Sequence, residues 1–172
     1  MGLFDWFRKQ AKKDVIELKE DNNHRSVYAS LSKQNNKGIS PEEAQAMQAE
    51  IMELLSNKDK KSAINGACLL LTKGEYEACI TAFESIMVAE PSEKGTCENQ
   101  IGAAYFFLGK YPEAIEHYLL SLDNGFDLEM LDYNVWEAAE EHHKATGDNS
   151  YAKTYLERFP SGESRDAAMQ LL

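Results

Sequence analysis

The densest cluster of side chains able to do chemistry is Glu140-Glu141-His142-His143. Two carboxylates and two imidazoles can ligate a metal or move protons, provided that they converge on one point. Successive residues of a helix point about 100° apart, so His142 and His143 do not face one ion together. An H-E-x-x-H zinc site sets its two His four residues apart on one face, and that spacing is missing. Cys68, Cys79 and Cys97 are odd in number and lack C-x-x-C spacing, which points neither to a disulfide framework nor to a zinc knuckle. They read as reduced, small core or near-core residues. No G-x-x-x-x-G-K-[ST], G-x-G-x-x-G or G-x-S-x-G occurs, so phosphate cradling and serine nucleophile chemistry have no support. His142 and His143, like the run Lys58-Asp59-Lys60-Lys61, read as solvated helical positions. No catalytic residue, metal or cofactor is assigned, and the chain reads as a non-enzyme.

Binding is the remaining chemistry, and charge narrows what is bound. The 172 residues carry a net charge of −11 with 43% hydrophobic residues. That length supports a sizeable core, and the apolar content excludes a wholly disordered chain. The acidity excludes nucleic acid, whose phosphates need a Lys/Arg surplus, and favours a protein or peptide with basic residues. No small-molecule substrate is indicated. No signal peptide or run of ~20 apolar residues is visible, which together with the cysteines predicts a cytoplasmic protein.

The elements that must position such a surface are helices. Residues 1–19 form a basic amphipathic segment: Leu3, Phe4, Phe7, Ala11, Val15 and Leu18 recur at helical spacing, Trp6 widens the stripe, and Arg8, Lys9, Lys12 and Lys13 flank it. Its aromatic face suits docking on the body of the protein or on a second copy, a reversible membrane-surface anchor through residues 1–18, or a partner-bound tail. Trp6 stands where a myristoylation signal wants Ser or Thr. Residues 20–39 read as a linker in which Val27, Tyr28 and Leu31 can form a packed helical turn. Ser40-Pro41-Glu42-Glu43 marks a helix start, with an N-cap Ser, Pro at the first position and Glu three residues after the cap. Ala44, Met47, Ile51, Leu54 and Leu55 give that helix its apolar face before Asn57 ends it.

A repeat follows, because Gly74-Glu75-Tyr76-Glu77-Ala78-Cys79 echoes Gly109-Lys110-Tyr111-Pro112-Glu113-Ala114 at a distance of 35 residues. Periods in the mid-thirties mark helical arrays whose units bury apolar faces against their neighbours. Helices over 60–73 and 76–88, then 95–108 and 112–123, fit this plan. In the second pair Gly102 and Ala114 permit close backbone approach, and Tyr105, Tyr111, Tyr118 and Leu122 fill the seam. Ala67, Leu70, Tyr76, Cys79, Phe83 and Met87 take the matching places in the first.

Ile101-Gly102-x-x-Tyr105-x-x-x-Gly109-x-Tyr111-x-x-Ala114-x-x-x-Tyr118 resembles a tetratricopeptide repeat, with a weaker copy in Ala67…Gly74-x-Tyr76-x-x-Cys79-x-x-x-Phe83…Pro91. A degenerate third unit spans Asn134–Pro160, where Glu140 replaces the small Gly and His143 the aromatic. The resemblance implies an all-α fold: a right-handed superhelical array of about three helix pairs (about 60–93, 95–126 and 133–160) within a helical domain 40–172. Helices precede the array, and a short cap over 161–172 buries Ala167, Ala168, Leu171 and Leu172. It further implies a concave groove lined by the first helix of each pair, namely Lys61, Ile64, Asn65, Cys68 and Leu71, then Asn99, Ala103 and Phe106, then Asn134, Glu137 and Glu141. Such a groove takes an extended or helical segment of another protein, with Phe106, Leu71 and Ile64 giving apolar contact and Glu137 and Glu141 meeting Lys or Arg. The acidic third unit argues against clamping a carboxyl terminus with Lys61, Asn65 and Asn99. The expected function is non-catalytic protein binding, as a general adaptor or as a dedicated neutralising partner of one basic protein, such as a toxin-immunity protein or a secretion chaperone. A membrane-surface assembly factor rests on residues 1–18 alone. Oligomeric state stays open.

Overall fold

Backbone donors at a helix start need acceptors, and Ser40 and Glu43 supply them reciprocally. The Ser40 hydroxyl accepts from the Glu43 N–H at 3.2 Å, and the Glu43 carboxylate accepts from the Ser40 N–H at 2.8 Å. The computed structural model describes residues 27–34 and 38–172; the amino-terminal face of Leu3, Phe4, Trp6 and Phe7 lies outside them. Among the described residues the chain is helical with no strand, and helices adjacent in sequence pack in pairs. It divides into two compact units, the first ending at Pro91 and the second covering Ser92–Leu172.

The first unit contains α1 (Val27–Leu31), α2 (Pro41–Ser56), α3 (Lys60–Lys73) and α4 (Tyr76–Ala89). Val27, Tyr28 and Leu31 stand on the helical turn α1. Leu31 is buried, and the Tyr28 N–H donates to Glu50 on α2 at 3.2 Å. Ala44, Met47 and Ile51 form the buried face of α2. It approaches α3 so closely at Gly66 that a Cβ there would lie 3.0 Å from the Ile51 side chain. Asp59 caps α3 by accepting from the Ser62 N–H at 3.1 Å. Gly74 ends α3 in the left-handed region at φ +88°, which glycine adopts without steric cost. Helix α4 then packs on both α3 and α2, burying Cys79, Ile80, Phe83 and Ile86.

The second unit contains α5 (Lys94–Phe107), α6 (Tyr111–Asp123), α7 (Leu128–Thr146), α8 (Ser150–Arg158) and α9 (Arg165–Gln170). A Cβ on Gly102 would meet the buried Tyr118 ring at 2.7 Å and the Ala114 carbonyl at 3.1 Å, so α5 and α6 cross there without room for a side chain. Helix α7 starts at Leu128, capped by Asp127, which accepts from the Met130 N–H at 2.8 Å. This is earlier than the start near 133 that the third repeat implies. At the carboxyl end the cap forms only in part. Ala168 is buried and Leu171 packs on the core, while Ala167 is exposed and Leu172 is 65% exposed. The segment before α9 is held by polar contacts: Asp132 accepts from the Tyr155 hydroxyl and, at 2.9 Å, from the Glu163 N–H, and the Ser164 N–H donates back to Tyr155 at 3.1 Å. Gly162 lies against both groups, with no space for a Cβ.

Gly102→Ala tests the α5–α6 crossing. Helix propensity alone favours alanine by about 1 kcal/mol, but a methyl forced against a buried ring and a backbone carbonyl costs about 1–3 kcal/mol. The expected outcome is a lower urea midpoint; an equal or raised midpoint contradicts the crossing.

Candidate partner-binding site

The first helices of the pairs carry every described candidate, but half-exposed and buried positions alternate along them. On α3, Lys61 is exposed and Ile64 and Cys68 are half-buried, whereas Asn65 and Leu71 are buried. On α5, Asn99 and Ala103 are fully buried and Phe106 is half-buried; on α7, Asn134 is buried while Glu137 and Glu141 are half-buried. Asn65, Leu71, Asn99, Ala103 and Asn134 are thus buried within the described residues. The reason on α3 is that this helix packs against α2 on one side and α4 on the other. On α5, the stripe bearing Asn99 is turned to α7.

Within the second unit two stripes meet. Asn99, Ala103 and Phe106 recur at i, i+4, i+7 along α5, and Asn134, Glu137 and Glu141 at i, i+3, i+7 along α7, so each set shares one helix face. The Asn134 side-chain amide donates to the Asn99 side-chain carbonyl at 3.0 Å. Asn99 Nδ2 and Asn134 Oδ1 keep no hydrogen-bond partner among the described residues, nor does Glu137 Oε2. The amide pair therefore retains one donor and one acceptor, the complement of a peptide group. Phe106 sits edge-on to Phe107 and Tyr111, with ring centroids 5.7 and 5.6 Å away.

Electrostatics single out Glu137. Burial pushes its carboxyl up from the ordinary value, the Tyr133 hydroxyl donating to it pulls the other way, and Glu141 and Glu140 push it further up. Lys144, its ammonium 2.8 Å from both Glu140 and Glu141, pulls it slightly back down. A half-buried carboxylate with an unspent oxygen is a ready acceptor for an incoming cation.

The two His do not join this site. His142 Nε2 lies 3.6 Å from Asp148, and its ring stands edge-on to Tyr151. His143 Nδ1 lies 3.3 Å from the Asp148 carbonyl. His142 is only 13% exposed at its side chain, so it is a packed residue rather than a solvated one. Burial pushes the Cys97 thiol up to about 12 and the Cys79 thiol well above its ordinary value, which keeps both protonated and unreactive. Sequence motifs give no hint of the buried polar atoms of Gln100 and Tyr118, which also lack partners among the described residues. A usable signal does exist for the amides: Asn65, Asn99 and Asn134 recur at intervals of 34 and 35 residues.

In comparisons with known proteins, no family model, no curated protein and no solved structure matches this chain.

Glu137→Gln checks the electrostatics. A carboxyl with a raised folded-state pKa binds its proton more tightly folded than unfolded, so the wild type loses stability as pH climbs from the ordinary 4.5 through the raised value. The glutamine variant lacks that loss and should be the more stable at pH 7, by about 1 kcal/mol or less after solvent screening. The gap should close below pH 4 or so. A variant less stable than the wild type at neutral pH contradicts the assignment.

Proposed function

We propose that the chain is a non-catalytic protein-binding module whose helix pairs form a right-handed tetratricopeptide-like array, and that it binds a segment of another protein bearing basic residues. The observation that carries this reading is the half-buried Glu137 carboxylate, one oxygen of which has no hydrogen-bond partner among the described residues, on the same face of α7 as Glu141. Buried polar groups without partners cost stability, about 1–3 kcal/mol each. A protein gains from keeping them where a ligand satisfies them. Phe106, Glu137 and Glu141 are the reachable part: the ring gives apolar contact and the carboxylates select Lys or Arg. A net charge of −11 supports the same choice of partner. Lys61, Ile64 and Cys68 of the first unit are the further contacts this reading assigns.

Capture from native lysate by the full-length chain, by Phe106→Asp and by Glu137→Gln/Glu141→Gln tests the proposal. The wild type should retain basic proteins that both variants lose while keeping their helical circular dichroism, and raised salt should weaken retention. One dominant captured species marks a dedicated neutralising partner, and several mark an adaptor. Identical captured sets from all three chains sink the site.

A further inference from the structure

The second surface that calls for an occupant lies on the first unit and is lined by none of the candidate partner-binding residues. The C-terminal halves of α2 and α4 border a groove of about 520 Å³ lined by Met52 and Leu55 on one side and Thr81, Glu84, Ser85 and Val88 on the other. Val88 is 81% exposed and Met52 53%, which is costly for side chains of this kind. The hydroxyls of the groove do not ask for a polar ligand. Thr81 and Ser85 donate to carbonyls one turn earlier on their own helix, at 3.2 and 2.9 Å, leaving their carbon atoms to face outward. The charge is one-sided as well: α2 and α4 contain six Glu between them and no Lys or Arg.

We propose that this groove is the docking site of the chain's own amino-terminal segment, residues 1–19. Direction supports it. Tyr28 is bonded to Glu50 and Gln34 to Glu43, so α1 and the turn after it run antiparallel to α2. The chain upstream of Val27 is accordingly aimed at the C-terminal half of α2, where Met52 and Leu55 stand. From Glu50 to Leu55 is roughly 7.5 Å of helix, and the residues between 19 and 27 span it several times over at about 3.3 Å each. Composition supports it too. Leu3, Phe4, Trp6 and Phe7 offer the apolar side chains that the groove lacks, and Arg8, Lys9, Lys12 and Lys13 suit a groove whose one charged lining residue is Glu84, on helices that carry no Lys or Arg. The inference does not depend on the function proposed for the second unit, since the residues involved are different.

Photo-cross-linking of the full-length chain tests it, with p-benzoylphenylalanine in place of Phe7 and the products mapped by mass spectrometry. Cross-links within one chain to 52–56 or 81–89 are expected. Val88→Lys, a change at an exposed position whose fold is checked by circular dichroism, should lower their yield about tenfold or more, because docking would bury an unpaired ammonium beside the segment's own basic residues. The proposal is overturned by a yield that Val88→Lys leaves unchanged, by cross-links to other parts of the chain or none at all, or by a cross-linked dimer, which assigns the groove to a second copy. Transfer of the cross-link to lipid when vesicles of phosphatidylcholine and phosphatidylserine are added overturns it in favour of a membrane surface.

Discussion

The second unit is organised by the distance between α5 and α6, and that distance is fixed where Gly102 lies under the Tyr118 ring. With no Cβ in the way, the ring lies against the backbone of α5 and the rest of the seam closes on either side. Toward the start of α5 the Ser121 hydroxyl reaches the Gly95 carbonyl at 2.7 Å, inside the protein. One turn on, His117 Nδ1 lies 2.7 Å from the buried Glu98 carboxylate while its ring stacks on Tyr105 at 5.2 Å. A larger residue at 102 would part all of these together, because hydrogen bonds weaken steeply with separation. Tyr118 is in that place for its ring. Its hydroxyl is buried without a partner among the described residues, and burial followed by the Glu137 charge holds it far above its ordinary pKa.

The same close packing makes the polar content of the interior conspicuous. Asn99, Gln100 and Asn134 occupy positions where Leu or Ala would pack without leaving a hydrogen bond unmade. Stability is surrendered in this way mostly where binding or specificity requires it. By contrast, the Asp132 carboxylate at the other end of the unit is fully used, accepting from Tyr155 and the Glu163 backbone. Of the buried side-chain atoms without a partner among the described residues, most lie on α5 and α7, with Tyr118 on α6 and Asn65 on α3 as the others.

Much of the fold is legible in the residues. The capping box at Ser40 and the breaks at Gly74 and Gly109 place the ends of α2 to α6 to within a residue or so, since caps and left-handed glycines act locally. The third pair was harder to read for a physical reason. Aligning Gly147 with Gly109 sets its register 38 residues on, whereas α5 and α7 start at Lys94 and Leu128 and their amides meet across Asn99 and Asn134. Helix α7 has 19 residues against 14 in α5, and the surplus lies at its C-terminal end, so the terminal glycine misleads and the interior asparagine does not. Burial is not legible in the same way. Periodicity shows that Asn99, Ala103 and Phe106 share a face, but not that Asn99 and Ala103 are buried while Phe106 is only half-buried.

The first unit shows how a polar network can give direction to a segment with little secondary structure. Lys73 is buried, and its ammonium donates to the Gln34 carbonyl at 2.7 Å, while the Gly38 N–H returns a bond to the Lys73 carbonyl at 2.8 Å. Burial lowers the lysine pKa and Glu43 opposes the shift, so the charge is kept where it is used. Gln34 also donates to Glu43 at 3.3 Å, and Tyr28 is tied to Glu50. Tyr28, Gln34 and Gly38 are thereby tied to α2 and α3, which sets the position and direction of α1. A short tether produces effective concentrations in the millimolar range. Under the docking proposed above, an apolar contact too weak to hold two separate molecules together would suffice when one of them is the neighbouring stretch of the same chain, and an external ligand for the groove between α2 and α4 would have to displace it before binding.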